Sequence, residues 1–243
     1  MLAHILWLFP IISASTWLTM LCSMLGHWVT LGEPRYGRMR PGQTIPFISD
    51  IGAGEYKPIF MTGSIVSMFF LNLSFYQFLQ RKAHGSQACT YLSFIFSIIG
   101  SLGLVLLSFF DNLDYLSIHD SLVAVFMTGF LLSAAIICIE YFYYRMSDKI
   151  YDPALVTSFA IKSSFVIVEL VFIFAFRVTA AVGDAQKNAA AVLEWVVAFI
   201  FTGYIISFAV DLRPSPALDK RTDTHHEYQQ LEMDMGPISR IMI

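Results

Sequence analysis

Apolar residues in this chain gather into six long runs separated by polar breaks, and one break is much longer than the others. The runs cover about Ile5–Thr30, Pro58–Leu79, Ala88–Phe110, Ser121–Tyr143, Ala154–Phe176 and Ala190–Val210. Each is long enough to cross about 30 Å of hydrocarbon as an α-helix, which satisfies its own backbone hydrogen bonds. The pattern predicts an all-α, polytopic membrane protein. It is a six-transmembrane-helix bundle over residues 1–212, followed over 213–243 by a polar, proline-punctuated, disordered cytosolic tail. The first run lacks a basic leader and is too long for the apolar core of a secretory signal, so it reads as a true span. Pro10 is expected to kink it, and Trp28 to anchor its end at headgroup level. No period of a solenoid or propeller repeats.

The long break is Leu31–Lys57. Its Gly32, Pro34, Gly37, Pro41, Gly42 and Pro46 forbid a continuous helix and predict turns. Connections of this length are commonly functional or disordered. Ile45, Phe47, Ile48 and Ile51 argue that this one packs against something. At its tip, Pro46–Gly54, the residues Ser49, Asp50 and Gly52 have the chemistry of a tight turn: Ser and Asp bond local backbone, and Gly takes dihedrals that others avoid.

Composition then excludes the soluble classes. Hydrophobic residues make up 56% and charged residues 14%, against roughly a quarter charged in soluble domains. No basic stripe exists to neutralise phosphates, so nucleic acid is not an expected partner. Cys22, Cys89 and Cys138 fall inside apolar runs without metal-ligand spacing and read as small buried hydrophobes. Neither a metal nor a cofactor is expected. With a cytosolic N-terminus, Lys and Arg divide 8 inside to 5 outside, with Lys162 and Arg177 within or ending the fifth span. That asymmetry places both termini in the cytosol.

This topology collects Asp50, His119, Asp120 and Glu194 on the lumenal or extracellular face. A histidine beside carboxylates suits acid–base work or a divalent ion. His119 and Asp120 are adjacent, however, so their side chains diverge on a helix. The competing reading is that Asp120 and Glu194 meet the positive ends of helix dipoles. Ser49 could serve as a nucleophile only with a base such as His119 held beside it, and the strand–Gly-x-Ser-x-Gly–helix context is absent. Lys162 and Glu169 lie seven residues apart on nearly one helical face, about 10 Å along the axis. They either pair or each finds another helix. Charges at that depth are functional candidates by default or hold helices together. Gly100 and Gly103, with Ser97, Ser101 and Ser108, predict close helix packing. Asn72 opens a glycosylation sequon but sits inside a span. In the tail, Tyr228 and Leu231 form a tyrosine–x–x–bulky pattern of the kind read by sorting adaptors.

Three features together resemble the DRAM/Frag/Sfk family of six-span membrane proteins, which includes the CWH-type N-terminal domain. They are the loop Pro46–Gly52 leading into Pro58-Ile59-Phe60, His119 at the mouth of span four followed by Gly129, and Glu194-Trp195 opening span six. Phe199, Phe201, Gly203 and Tyr204 follow in that span, and Asp211 closes it. The resemblance covers about residues 1–212, with a departure at Ala53–Lys57. It implies a multi-pass protein of the plasma membrane or an endomembrane that organises lipids, modulates phosphoinositide signalling or acts in autophagy without being an enzyme. Membrane lipids would be its partners, with a lipid-kinase complex or sorting adaptor on the cytosolic side. The alternative it implies is an enzyme or subunit in GPI-anchor lipid remodelling. In either case the candidate lumenal cluster is Ser49, Asp50, Gly52, His119 and Glu194.

Overall fold

The computed structural model describes residues 5–81, 86–146, 153–181 and 186–213, and the regular structure among them is helical. Six long helices are α1 (Leu8–Thr30), α3 (Lys57–Arg81), α4 (Gln87–Phe109), α5 (Leu116–Met146), α6 (Pro153–Ala181) and α7 (Lys187–Asp211). A short α2 (Ile48–Gly52) sits in the long connection. All six long helices have the length and apolar composition to cross a membrane. Their outward faces agree with that environment. Phe174 is 72% exposed, Ile167 64% and Phe69 59%, a surface that is costly in water and costs nothing against lipid tails. The tail from residue 214, with the Tyr228–Leu231 pattern, lies outside the described residues.

With no hydrophobic drive between helices in lipid, small residues and polar bonds do the joining. α1 and α3 exchange two bonds, Ser13 Oγ to the Ser67 carbonyl at 2.8 Å and Ser67 Oγ to the Ser13 carbonyl at 3.0 Å. α3 and α4 meet at Asn72, which donates to Ser101 Oγ at 2.8 Å and accepts from Ser97 Oγ at 3.2 Å. This is what the buried sequon residue does. α4 and α5 approach backbone to backbone: a Cβ on Gly129 would lie 2.7 Å from Gly100 Cα. α5 meets α7 differently, through rings rather than close backbone. Phe126 and Phe130 pack on Phe201 with centroids 5.6 and 4.9 Å apart.

Several expectations are corrected here. Pro10 lies in the first turn of α1, where its missing N–H forfeits no helical bond and gives no cause for the expected kink. Trp28 is buried and donates from Nε1 to the Pro34 carbonyl at 3.2 Å. It thereby ties down the following connection, a role beyond the expected anchor at the end of the span. Cys22 is exposed and Cys89 and Cys138 are half-buried, because an outer face bathed in lipid accepts a thiol as readily as the interior does. α5 begins five residues earlier than its apolar run. His119 is therefore inside the helix, its amide bonded to the Tyr115 carbonyl at 2.8 Å.

Candidate functional site

The long connection is held against the bundle by bonds to its backbone, which has no helix or sheet to satisfy it. Gly32 and Gly42 take φ of +79° and +81°, turns that other residues enter only with strain. Asn188, at the start of α7, accepts from the Thr44 and Ile45 amides at 2.8 and 3.0 Å and donates to the Gly42 carbonyl at 3.3 Å. Trp195 Nε1 donates to the Pro46 carbonyl at 3.0 Å. On the other side Arg38 Nη2 donates to the Leu113 carbonyl at 2.7 Å.

Between these anchors the expected turn is a single helical turn, α2. The Phe47 amide donates to Asp50 Oδ2 at 3.0 Å, which satisfies one free N–H at the start of the turn. Ile48 and Ile51 are buried in the core. Gly52 serves through its missing Cβ rather than unusual dihedrals, since a Cβ there would stand 2.8 Å from Phe60 Cδ1. Asp50 Oδ1 accepts from Asn112 Nδ2 at 2.8 Å, and the same amide lies 3.3 Å from Ser49 Oγ. Both Asp50 oxygens are thus occupied. Burial pushes its pKa up; the Phe47 and Asn112 bonds and the charges of Arg38 and His119 pull it back without cancelling that rise. Nearby Asp111 takes Lys57 Nζ at 2.6 Å and the Leu113 and Asp114 amides at 3.1 and 3.0 Å. Burial raises its pKa, but Lys57 and those amides outweigh it, and the net shift is downward.

His119 is buried, with Nδ1 2.8 Å from the Phe110 carbonyl. A carbonyl only accepts, so Nδ1 carries the proton. No Ser49–His119 hydrogen bond forms, and the nucleophile-and-base pair is not assembled. Glu194 is the eighth residue of α7, two turns in, and does not cap its own helix. Its Oε2 instead accepts from the Ile48 amide at 3.0 Å. Asp120 is exposed and stays apart from this group.

Under α2 lies a cavity of about 80 Å³ whose nineteen lining residues are apolar except for Ser49, His119, Glu169 and Glu194. Three members of the expected lumenal cluster therefore face one chamber, joined by an intramembrane charge, while Asp50 and Gly52 build the roof. Glu169, on α6, is 5% exposed, and its Oε2 has no hydrogen-bond partner. It does not pair with Lys162. Lys162 Nζ lies 2.6 Å from Asp211 Oδ2 and 2.7 Å from Ser158 Oγ, and 4.4 Å from the centroid of the Phe208 ring. Tyr141 Oη donates to Asp211 Oδ1 at 3.4 Å. The two intramembrane charges thus serve opposite halves of the bundle. Asn112, Asn188 and the Asp211–Lys162 contact carry structural work that spacing did not reveal, although Asp211 was among the residues of the resemblance. Chemically, the chamber offers a few polar groups in an otherwise apolar space.

The profile of the Frag1/DRAM/Sfk1/Cwh43P N-terminal domain matches residues 5–215. Among curated proteins, the chain is 27% identical over 174 residues to Protein SFK1 of Saccharomyces cerevisiae, covering 56% of this chain and 49% of that protein. It is 27% identical over 222 residues to Protein sfk1 of Schizosaccharomyces pombe, covering 86% of this chain and 64% of that one. The chain thus spans about half to two thirds of the length of these relatives. No solved structure matches.

Proposed function

The chain belongs to the Frag1/DRAM/Sfk1/Cwh43P family, and on that premise we propose that it is a non-enzymatic, multi-pass membrane protein that organises membrane lipid. It holds part of one lipid molecule in the chamber under α2, and phosphoinositide signalling at its membrane responds to that occupancy. A lipid-kinase complex on the cytosolic side is the assembly through which the response would pass. The observation that carries the reading is the chamber itself: a space of about 80 Å³ inside a membrane bundle, with fifteen of nineteen lining residues apolar. Such walls favour hydrocarbon, and the few polar groups among them fix orientation. An enzyme acting on GPI-anchor lipid would need a base or nucleophile free to reach its substrate. Asp50 has both oxygens engaged within the roof and Ser49 has no base beside it, so that alternative is the weaker fit.

The test is photocrosslinking of the full chain in nanodiscs with a phospholipid carrying a diazirine in its acyl chain. Wild type is expected to be labelled on the α6 and α7 segments that line the chamber. Met127→Trp, which fills the chamber from α5, is expected to lower that labelling several-fold and to change plasma-membrane phosphoinositide in cells while surface GPI proteins are retained. Unchanged labelling overturns the reading. Lost GPI-protein retention with normal phosphoinositide would replace it with the enzymatic one.

A further inference from the structure

Resting on that lipid-holding reading, we propose that the chamber is a site for an amphiphile bearing a primary ammonium group. Its nitrogen is held by Glu169, and its chain lies along the aromatic wall. Among the described residues, two carboxylates line the space and neither lysine nor arginine does. Several hydrogen-bond donors around it are already spent. Trp17 Nε1 donates to the Ala198 carbonyl at 2.8 Å, Asn112 Nδ2 to Asp50 and Ser49, and His119 Nδ1 to the Phe110 carbonyl. Glu194 receives one bond, from the Ile48 amide. Glu169 Oε2, nine-tenths and more buried, receives none. Buried polar atoms are normally satisfied, and one that is not calls for an explanation. A buried carboxyl oxygen left without a donor is explained by a ligand that brings one, and a carboxyl beside ring faces by a ligand whose donor carries positive charge.

The protein already contains the arrangement this predicts, with its cation in place. Two turns from Glu169 on α6 the Lys162 ammonium lies 2.6 Å from Asp211 and 4.4 Å from the centre of the Phe208 ring, with Ser158 accepting a further bond at 2.7 Å. The chamber supplies the same components, carboxylate, aromatic faces (Phe130, Phe165 and Phe201) and a serine, but no ammonium. A ring face attracts a desolvated cation. The apolar walls disfavour a hydrated inorganic ion, which would have to shed its water. A quaternary ammonium carries charge but no N–H, and would leave Glu169 unsatisfied. A primary amine on a hydrocarbon chain meets all three conditions.

The experiment uses three diazirine probes on one long alkyl chain, a primary amine, its N-acetyl amide and its trimethylammonium form, with the full chain in nanodiscs. The primary amine is expected to label the Phe165–Glu169 and Leu193–Phe201 segments about tenfold more strongly than the amide, as one charge-assisted hydrogen bond implies. Glu169→Gln is expected to abolish that preference while the amide probe still labels. Glu169→Asp, which keeps a carboxylate, is expected to retain part of the preference whatever Glu169→Gln does to folding. Equal labelling of wild type by amine and amide overturns the proposal and leaves the lipid-holding reading standing. So does trimethylammonium labelling equal to the primary amine, or a full preference in Glu169→Gln. Labelling by none of the three overturns both.

Discussion

The backbone amide of Ile48 donates to the carboxylate of Glu194 across 3.0 Å, joining the extramembrane connection to a residue two turns inside the last span. Both residues line the chamber, so this bond is where the connection becomes a roof. Glu194→Ala leaves a buried N–H without an acceptor, which costs about 1–3 kcal/mol. Faster amide exchange across Ile45–Gly52 is the expected result, read by hydrogen–deuterium exchange in nanodiscs. Glu194→Gln keeps a carbonyl oxygen for Ile48 and should preserve most of the protection. Wild-type exchange in Glu194→Ala would mean that the roof is held without this bond.

Lys162 and Asp211 form an ion pair with side chains 0% and 4% exposed. Breaking such a pair from one side strands a buried charge, at a cost of about 3–5 kcal/mol. Lys162→Met and Asp211→Leu should each lower the thermal unfolding midpoint in detergent markedly. The double variant should recover much of the loss, because it removes both charges together. Additive losses would show that the two groups are stabilised independently.

What the sequence made legible, and what it hid, follows from the length scale of each signal. A span is announced by some twenty apolar residues between polar breaks, and all six emerge from that pattern with small shifts at their ends. α2 has only five residues, and Ile48-Ser49-Asp50-Ile51-Gly52 reads equally well as a turn. It becomes helical because Ile48 and Ile51 find the core and Asp50 caps Phe47. The start of α5 was hidden by the polar Asp111–Asp114 stretch, so His119 looked like a residue at a helix mouth. Lys162 had Glu169 on its own face, and a second helix, α7, decided otherwise by presenting Asp211. Cys22 lies on an outer face that hydrophobicity cannot tell from an inner one, since lipid and core are equally apolar.

Asp111 and Asp50 give the roof opposite dependences on pH. The folded pKa of Asp111 lies below 3.8, so its contribution is complete above that value and is lost as pH falls through the folded pKa. That of Asp50 lies above 3.8. The native state takes this proton first, so its contribution is complete below that value and is lost as pH rises through the folded pKa. Because Lys57 is about a third exposed, the Asp111 pair is worth at most about 1 kcal/mol. Asp111→Asn should leave the Asp50 slope alone. Protection of Phe47–Gly52, corrected for intrinsic exchange, should then decline above pH 3.8 as it does in wild type, but without the wild-type rise below that value. Identical profiles would refute the opposition.

Two glycines in long helices offer a matched test of how the bundle is packed. Gly129 faces Gly100: an added Cβ would meet Gly100 Cα and N at 2.7 Å and the Phe96 carbonyl oxygen at 2.9 Å. These are backbone atoms of the neighbouring helix, and no side-chain rotation can relieve the clash, so α4 and α5 must separate. Overpacking of this kind costs about 1–3 kcal/mol or more. Separation would also disturb the Ser93–Ser133 contact on the same pair of helices, 3.0 Å between hydroxyl and carbonyl. Gly203, on α7, has nothing within 4 Å of the same added atom. Alanine there gains helix propensity, worth up to about 1 kcal/mol in an aqueous helix, and introduces no clash. Gly129→Ala should therefore lower the unfolding midpoint in detergent, and Gly203→Ala should leave it unchanged or raise it slightly. A tolerated Gly129→Ala would mean that α4 and α5 are not in backbone contact.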